Sequence, residues 1–309
     1  ALSIKEEYLA KVYESPEITG YINGDTAEKT GLSTATSVVG GAGDNAAAAV
    51  GMGVVEEGKA FTTIGTSGVV FAHTDNPVID PKGRVHTFCC AVPGCWHVMG
   101  VTQAAGLSLR WTRDTVCVSE IALAKEKNCD PYEIMTAIAA QSPIGANRLL
   151  FLPYLMGERS PINDTDARGT FIGITADTSR ADMLQAVLEG VAFAIRDNLE
   201  IAKASGIDIK SSSLCGGGAK SPLWQKIFCN VLNIPITIPQ TEQGPGYGGA
   251  MLAMVGAKEF GSVKDCADKF VQIKETINPI PEIAQRYEIQ YSKFKKIYPQ
   301  MKNIFKDIK

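Results

Sequence analysis

Three times the chain runs from apolar or β-branched residues into a cluster of glycines: "TSVVGGAGDN" at Thr36–Asn45, "TTIGTSG" at Thr62–Gly68 and "SLCGGGAKS" at Ser213–Ser221. A strand ending in glycine can turn sharply, because positive φ carries no steric penalty without a Cβ atom. The first and third clusters lead into helix-forming runs, "AAAAVG" and "PLWQKIFCNVL", whereas the second leads into another β-rich run, "VVFAH". The pattern predicts two strand-to-helix junctions and one hairpin over Ala60–His73. Strands and helices alternate along the rest of the chain, and the fold class expected is α/β.

A glycine turn after a strand also lets backbone N–H groups approach a phosphate. Each cluster has a plainer reading. "GTSG" alone serves as an ordinary hairpin turn, and "GGGAKS" alone opens a helix and lets it pack. Neither follows the Walker pattern or the GxGxxG dinucleotide fingerprint, so a nucleotide would have to be held in another way.

Asp44 stands alone as a carboxylate among glycines and alanines, with Asn45 beside it. As the N-cap of the alanine helix it would satisfy free N–H groups and meet the positive end of the dipole. Beside a phosphate cradle it could instead take the proton of an attacking hydroxyl. Spacing alone leaves both readings open.

Among the 309 residues 45% are hydrophobic and 20% charged, values of a globular chain, and the formal net charge of −3 offers no basic footprint for nucleic acid. A small-molecule partner is expected. The N-terminal stretch lacks the basic start and apolar run of a signal peptide, and no apolar run is long enough for a membrane span. The eight cysteines form no CxxC pair and are read as reduced, buried thiols of a cytoplasmic protein. The three histidines are too scattered to suggest a metal site.

"IKEEYLAKVY" near the N-terminus reads as part of a helix, and further strands are expected at "VHTFCCAV" and "WHVMGV", followed by a helix over Gln103–Arg113. "DPYEIMTAIAA" reads as another helix. The clearest one spans Ser179–Ser205, with Met183, Leu184, Val187, Leu188, Val191, Ile195, Leu199 and Ala202 on one stripe, Thr178 or Ser179 as cap and Gly206 at its end. Ser221 is a natural N-cap with Pro222 at the first helical position. Tyr287, Tyr291, Phe294, Tyr298, Met301, Phe305 and Ile308 recur at four-three spacing. That is the period of a coiled coil, but Pro299 and the short length favour a terminal helix docked on its own domain.

As a set these motifs resemble the FGGY carbohydrate kinase family, within the actin-like ATPases. "GTFIGITADTSRADMLQAVLE" (Gly169–Glu189) is similar to that family's second signature at Gly169, Phe171, Gly173, Ile174, Asp182, Met183, Ala186 and Glu189. The stretches "RVHTFCCAVPGCWHVMGVTQAAGLSLRWTRD" and "FLPYLMGERSPINDTDARG" most resemble members that phosphorylate D-xylulose at O5. The resemblance implies an actin-like, ribonuclease H-like domain with a mixed sheet flanked by helices. It implies ATP and Mg2+ as cofactors and a sugar, D-xylulose, as the partner substrate.

Carried over by motif, Asp44 resembles the catalytic base and Asn45 a sugar contact beside it. Gly65, Thr66, Ser67 and Gly68 resemble the phosphate hairpin, and Gly216, Gly217, Gly218 and Ser221 the adenosine-side loop. Residues 1–37 resemble the tail end of the family's first, sugar-side domain and the hinge, and residues 38–309 its C-terminal ATP-binding domain. Nothing in the chain matches the rest of that first domain, with its DxGT-type phosphate loop and Mg2+-side Asp. That domain is expected as a partner, a homodimer is held open, and the chain alone is expected to bind ATP weakly with little or no activity. Two alternatives stand beside this reading: gluconate or another polyol as acceptor, and a non-catalytic actin-like nucleotide-binding module.

Overall fold

The computed structural model describes residues 5–241 and 244–308. Along the chain run β1 (Ile18–Tyr21), α1 (Gly24–Thr30), β2 (Ser37–Val39), α2 (Asp44–Gly51), β3 (Lys59–Ile64), β4 (Gly68–Thr74), β5 (His86–Cys89) and β6 (Trp96–Thr102). Then come α3 (Gly106–Thr115), α4 (Val118–Lys127), α5 (Pro131–Ala139), β7 (Leu150–Leu152), β8 (Thr170–Ile172), α6 (Arg180–Ala204), β9 (Ser211–Cys215) and α7 (Pro222–Leu232). The last elements are β10 (Ile236–Pro239), α8 (Gly244–Gly256), α9 (Val263–Phe270), β11 (Ile273–Ile277), α10 (Pro281–Phe294) and α11 (Ile297–Asp307).

These elements form two compact units. One is drawn from three separated segments, Ala1–Val55, Cys89–Cys95 and Gln243–Val271, and the other from Glu56–Phe88, Trp96–Glu242 and Gln272–Lys309.

In the first unit β1 and β2 form an antiparallel pair. Ala46, Val50, Val55, Ala91, Met251, Leu252, Val263, Cys266 and Ala267 make its core. Small residues set the spacing of α2 and α8. A Cβ on Gly51 would lie 2.4 Å from the Gly244 carbonyl oxygen.

The second unit is built on a seven-stranded mixed sheet in the order β11-β10-β9-β3-β4-β6-β5. β3 runs parallel to β9, and β9 to β10; β4 is antiparallel to both β3 and β6, and β11 to β10. The expected hairpin is therefore present, with Ile64 paired to Gly68 across a three-residue loop.

The clear periodic helix is α6. Ser179 caps it in a reciprocal box with Asp182, and Gly206, at φ +97°, follows its end. Burial extends beyond the expected stripe to Gln185, Ala186, Glu189, Gly190, Phe193 and Arg196, because other elements cover more than one face of the helix.

Two expectations change. The described part of "IKEEYLAKVY" holds only a 3-10 turn at Glu6–Tyr8, with Tyr8, Leu9 and Val12 exposed. A ten-residue amphipathic stretch without a packed face does not form enough turns to offset nucleation. Its Ile4 lies outside the described residues.

The C-terminal four-three repeat is docked, as expected, but as two helices rather than one. Tyr287, Tyr291, Phe294 and Phe305 are buried in the second unit's core. The break falls at Lys295–Lys296, and Pro299 sits in the first turn of α11, where its missing N–H costs no helical hydrogen bond.

No disulfide joins the eight cysteines, of which Cys90, Cys117, Cys229 and Cys266 are buried and Cys89 is exposed. Among the described residues no helix is long and apolar enough to cross a membrane.

Candidate active site

Two of the three glycine clusters leave the sheet together. Thr63 of β3 is in register with Cys215 of β9, and the strands are parallel, so "GTSG" and "CGGGAKS" both begin at the carboxyl ends of neighbouring strands. Gly216, at φ +90°, packs so tightly that a Cβ would stand 2.9 Å from the Ile64 carbonyl oxygen. One on Gly218 would meet Ile64 Cγ2 at 2.4 Å and the Trp224 ring at 2.8 Å. Gly217, by contrast, is exposed and has nothing within 4 Å of its Cβ position. Ser221 caps α7: its Oγ accepts the Trp224 N–H at 3.3 Å.

The hairpin loop is anchored by its carbonyl groups. Gly106 N–H donates to the Gly65 oxygen at 2.7 Å, and Ala105 and Leu107 donate to the Thr66 oxygen at 3.0 and 3.1 Å. Gly65 N–H donates to the Ser67 oxygen at 3.0 Å. Among the described residues the N–H groups of Thr66 and Ser67 have no acceptor. The carbonyls that would repel a phosphate are thus engaged in protein hydrogen bonds, and two donors that would attract one are available. Gly68 closes the loop against α6, where a Cβ would lie 2.7 Å from Ile195 Cδ1. Gly65, Thr66, Ser67, Gly68, Gly216, Gly217, Gly218 and Ser221 all belong to the second unit.

Asp44 and Asn45 belong to the first unit. The N-cap of α2 is Gly43, and Asp44 is the first residue inside the helix. Its carboxylate is exposed, and its Oδ1 accepts the backbone N–H of Asn45 at 2.8 Å and the Asn45 side-chain amide at 3.2 Å. Oδ2 carries no hydrogen bond among the described residues. An exposed carboxylate held by its neighbour and partly free can accept a proton from a nearby hydroxyl.

The signature stretch turns out to support structure as much as chemistry. Asp182 Oδ1 accepts from Ser142 Oγ at 2.6 Å and Asn147 Nδ2 at 2.8 Å, and its Oδ2 accepts the N–H and hydroxyl of Ser179. Burial works to raise its pKa, but the hydrogen bonds from Ser142, Ser179 and Asn147 outweigh it and hold the carboxyl below its ordinary value. Glu189 Oε1 accepts the Gly145 N–H at 3.0 Å and the Gln185 amide at 2.8 Å, and burial pushes its pKa up to about 7. Between them the two acids pin a turn in which Gly145, Ala146, Asn147 and Arg148 all have positive φ. Three consecutive non-glycine residues in that region hold only where the surroundings over-determine them.

A further acid escapes sequence reading altogether. Glu158 is buried, and its Oε1 accepts the N–H groups of Gln103 and Arg159, both at 2.8 Å. Burial, opposed by those two bonds and aided by the charge of Asp197, pushes its pKa up to about 8. A Glu between Gly157 and Arg159 reads as loop surface, and only the fold reveals its burial.

The mixed sheet flanked by helices is of the actin-like, ribonuclease H-like class, as in the sugar kinases it superimposes on. Residues 60–257 match the C-terminal domain of the FGGY family of carbohydrate kinases and residues 1–51 match its N-terminal domain. The chain belongs to that family. It is 37% identical over 295 residues to a xylulose kinase of Staphylococcus epidermidis, covering 96% of this chain and 58% of that one. It is 30% identical over 286 residues to a gluconokinase of Bacillus subtilis, covering 92% and 55%. Among solved structures, a ligand-bound xylulose kinase from Lactobacillus acidophilus superimposes with a TM-score of 0.90 at 25% identity, over all of this chain and 60% of that one. The chain therefore spans somewhat over half the length of these relatives.

Proposed function

We propose that the protein is a MgATP-dependent sugar kinase that transfers the γ-phosphoryl group of ATP to O5 of D-xylulose, giving D-xylulose 5-phosphate and ADP. The observation that carries this reading is the convergence of the two glycine loops at the ends of β3 and β9. Thr66 and Ser67 would donate their free N–H groups to the phosphates, and the open face of Gly217 would admit the nucleoside side. Asp44 is assigned as the base. The sugar oxygen attacks the γ-phosphorus, the bond to the β,γ-bridging oxygen breaks, ADP departs with that electron pair, and the hydroxyl proton passes to the Asp44 carboxylate. Asn45 is assigned as a sugar contact beside it. Mg2+ is taken to arrive on the ATP phosphates, and no residue of this chain is assigned to it.

Residues 1–37 are read as the end of the sugar-side domain and the hinge, and 38–309 as the ATP-binding domain. The base must lie within hydrogen-bond reach of a hydroxyl positioned mainly by that first domain. The 309-residue chain alone is accordingly proposed to bind ATP weakly and to turn over little. Robust phosphorylation of xylulose by it would contradict this.

Asp44→Ala in the full-length protein tests the assignment. Turnover should fall by about a hundredfold or more with ATP binding retained, and unchanged turnover would remove the enzymatic role of Asp44. ATP binding without any turnover in the full-length parent would instead favour the non-catalytic nucleotide-binding module. The resemblance to a gluconokinase supports a second substrate reading. A substrate panel separates the two, and gluconate turned over faster than xylulose would refute the first choice.

A further inference from the structure

We propose that Glu158 is a positioning residue for the phosphate-side hairpin, acting through the turn that follows β6. The inference rests on the reading of Gly65–Gly68 as a phosphate cradle.

The relay can be followed bond by bond. Residues 158–160 are tied to the end of β6 at two points: Glu158 Oε1 accepts the Gln103 N–H at 2.8 Å, and Ser160 N–H donates to the Val101 oxygen at 3.0 Å. Gln103 opens the turn whose next residues, Ala105, Gly106 and Leu107, give their N–H groups to the carbonyls of Gly65 and Thr66. One residue, Ala104, separates the hydrogen bond made by Glu158 from the first bond that holds the hairpin. Gly106 leaves no slack at that point, since a Cβ there would stand 2.5 Å from the Gly65 oxygen. The hairpin's carbonyls are therefore aimed by the turn, and the turn by Glu158.

The chemistry of the residue fits this role and no direct one. Its Oε1 is shared by two backbone N–H groups, Gln103 and Arg159, and its Oε2 is buried without a hydrogen-bond partner among the described residues. It points at backbone, and a side chain so placed transmits geometry instead of charge. The loop at Gly216–Gly218 packs instead against Ile64 and Trp224. Loss of Glu158 should thus loosen the hairpin selectively, affecting a ligand with terminal phosphates more than one without them.

The test compares ATP with AMP by calorimetric titration of the 309-residue chain. Glu158→Ala should weaken ATP binding about tenfold while changing AMP affinity less than about twofold, as expected for loss of a positioned hydrogen-bond donor set. Glu158→Gln keeps a carbonyl acceptor at the same reach and should hold ATP affinity within about threefold of the parent. Glu158→Asp, one methylene shorter, should behave as the alanine variant does, and it carries the comparison if Glu158→Ala does not fold. ATP and AMP weakened in parallel, or an ATP preference left intact in both Glu158→Ala and Glu158→Asp, would overturn the positioning role alone. A parent chain that binds neither nucleotide would overturn the cradle reading and this inference together.

Discussion

Gly248 on α8 faces the backbone of Ala47 on α2 so closely that a Cβ atom on Gly248 would lie 1.8 Å from the Ala47 carbonyl oxygen. No side-chain rotation relieves such an approach, because both partners are backbone. Gly248→Ala should destabilise the protein by about 1–3 kcal/mol despite the better helix propensity of alanine. Gly249, the next residue, has nothing within 4 Å of its Cβ position, and Gly249→Ala should be neutral or stabilise by up to about 1 kcal/mol. Urea midpoints of the two variants check the contrast.

The loop after β9 allows a similar contrast in which stability and binding separate. Gly216→Ala places a side chain at φ +90° and against Ile64, and should cost stability. Gly217→Val meets open space, so its melting temperature should stay near that of the parent while ATP affinity drops by about tenfold or more, as for a group filling part of a ligand site. Retained ATP affinity in a folded Gly217→Val protein would move the nucleotide elsewhere.

Both loops could be located from the sequence because glycine clusters after β-rich runs are local signals, and α6 because its stripe repeats at the helical period. The hairpin and the Ser179 and Ser221 caps follow from the same short-range chemistry. The pairing of α2 with α8 is invisible at that range, since Ala47 and Gly248 are brought together only by the tertiary fold. Asp44 lay one residue away from the cap position that its neighbours suggested, which is within the natural uncertainty of a helix boundary. Glu158 shows the opposite limit: a carboxylate in a polar loop reads as surface until the fold buries it. "IKEEYLAKVY" fails for the complementary reason, having the composition of a helix but no face to pack on.

Two buried acids, Glu158 and Glu189, and the half-buried Asp197 set a pH dependence. Glu158, Glu189 and Asp197 are raised to about 8, 7 and 6, chiefly by burial, from ordinary values of 4.5, 4.5 and 3.8. In the folded chain they hold protons that the unfolded chain releases, so their contribution is fullest below the ordinary carboxylate range and is lost as pH rises toward 8. Stability should therefore decline across that interval, and Glu158→Gln and Glu189→Gln should each flatten part of the slope. Urea midpoints recorded between pH 5 and pH 8 decide it, and a slope unaltered in both variants would refute the assignment.

Asp182 acts in the other direction. Its folded pKa is held low, so its contribution is present above the ordinary carboxylate value and disappears as pH falls below it. Asp182→Asn should weaken the protein at neutral pH and flatten its acid limb. Ser179→Ala, which removes one side of the same capping box, should cost about 1 kcal/mol in thermal or urea unfolding.

The division of the first unit among three separated segments bears on how the protein is made. On a ribosome, α2 emerges roughly 200 residues before α8, an interval on the order of 10–40 s at ordinary elongation rates. Throughout that time Ala46 and Val50, core residues of the finished unit, lack the helix they pack against. The helix that begins with Asp44 must thus wait for its neighbour while the whole of the second unit's longest segment is made, which makes it a natural place for a chaperone to hold the nascent chain.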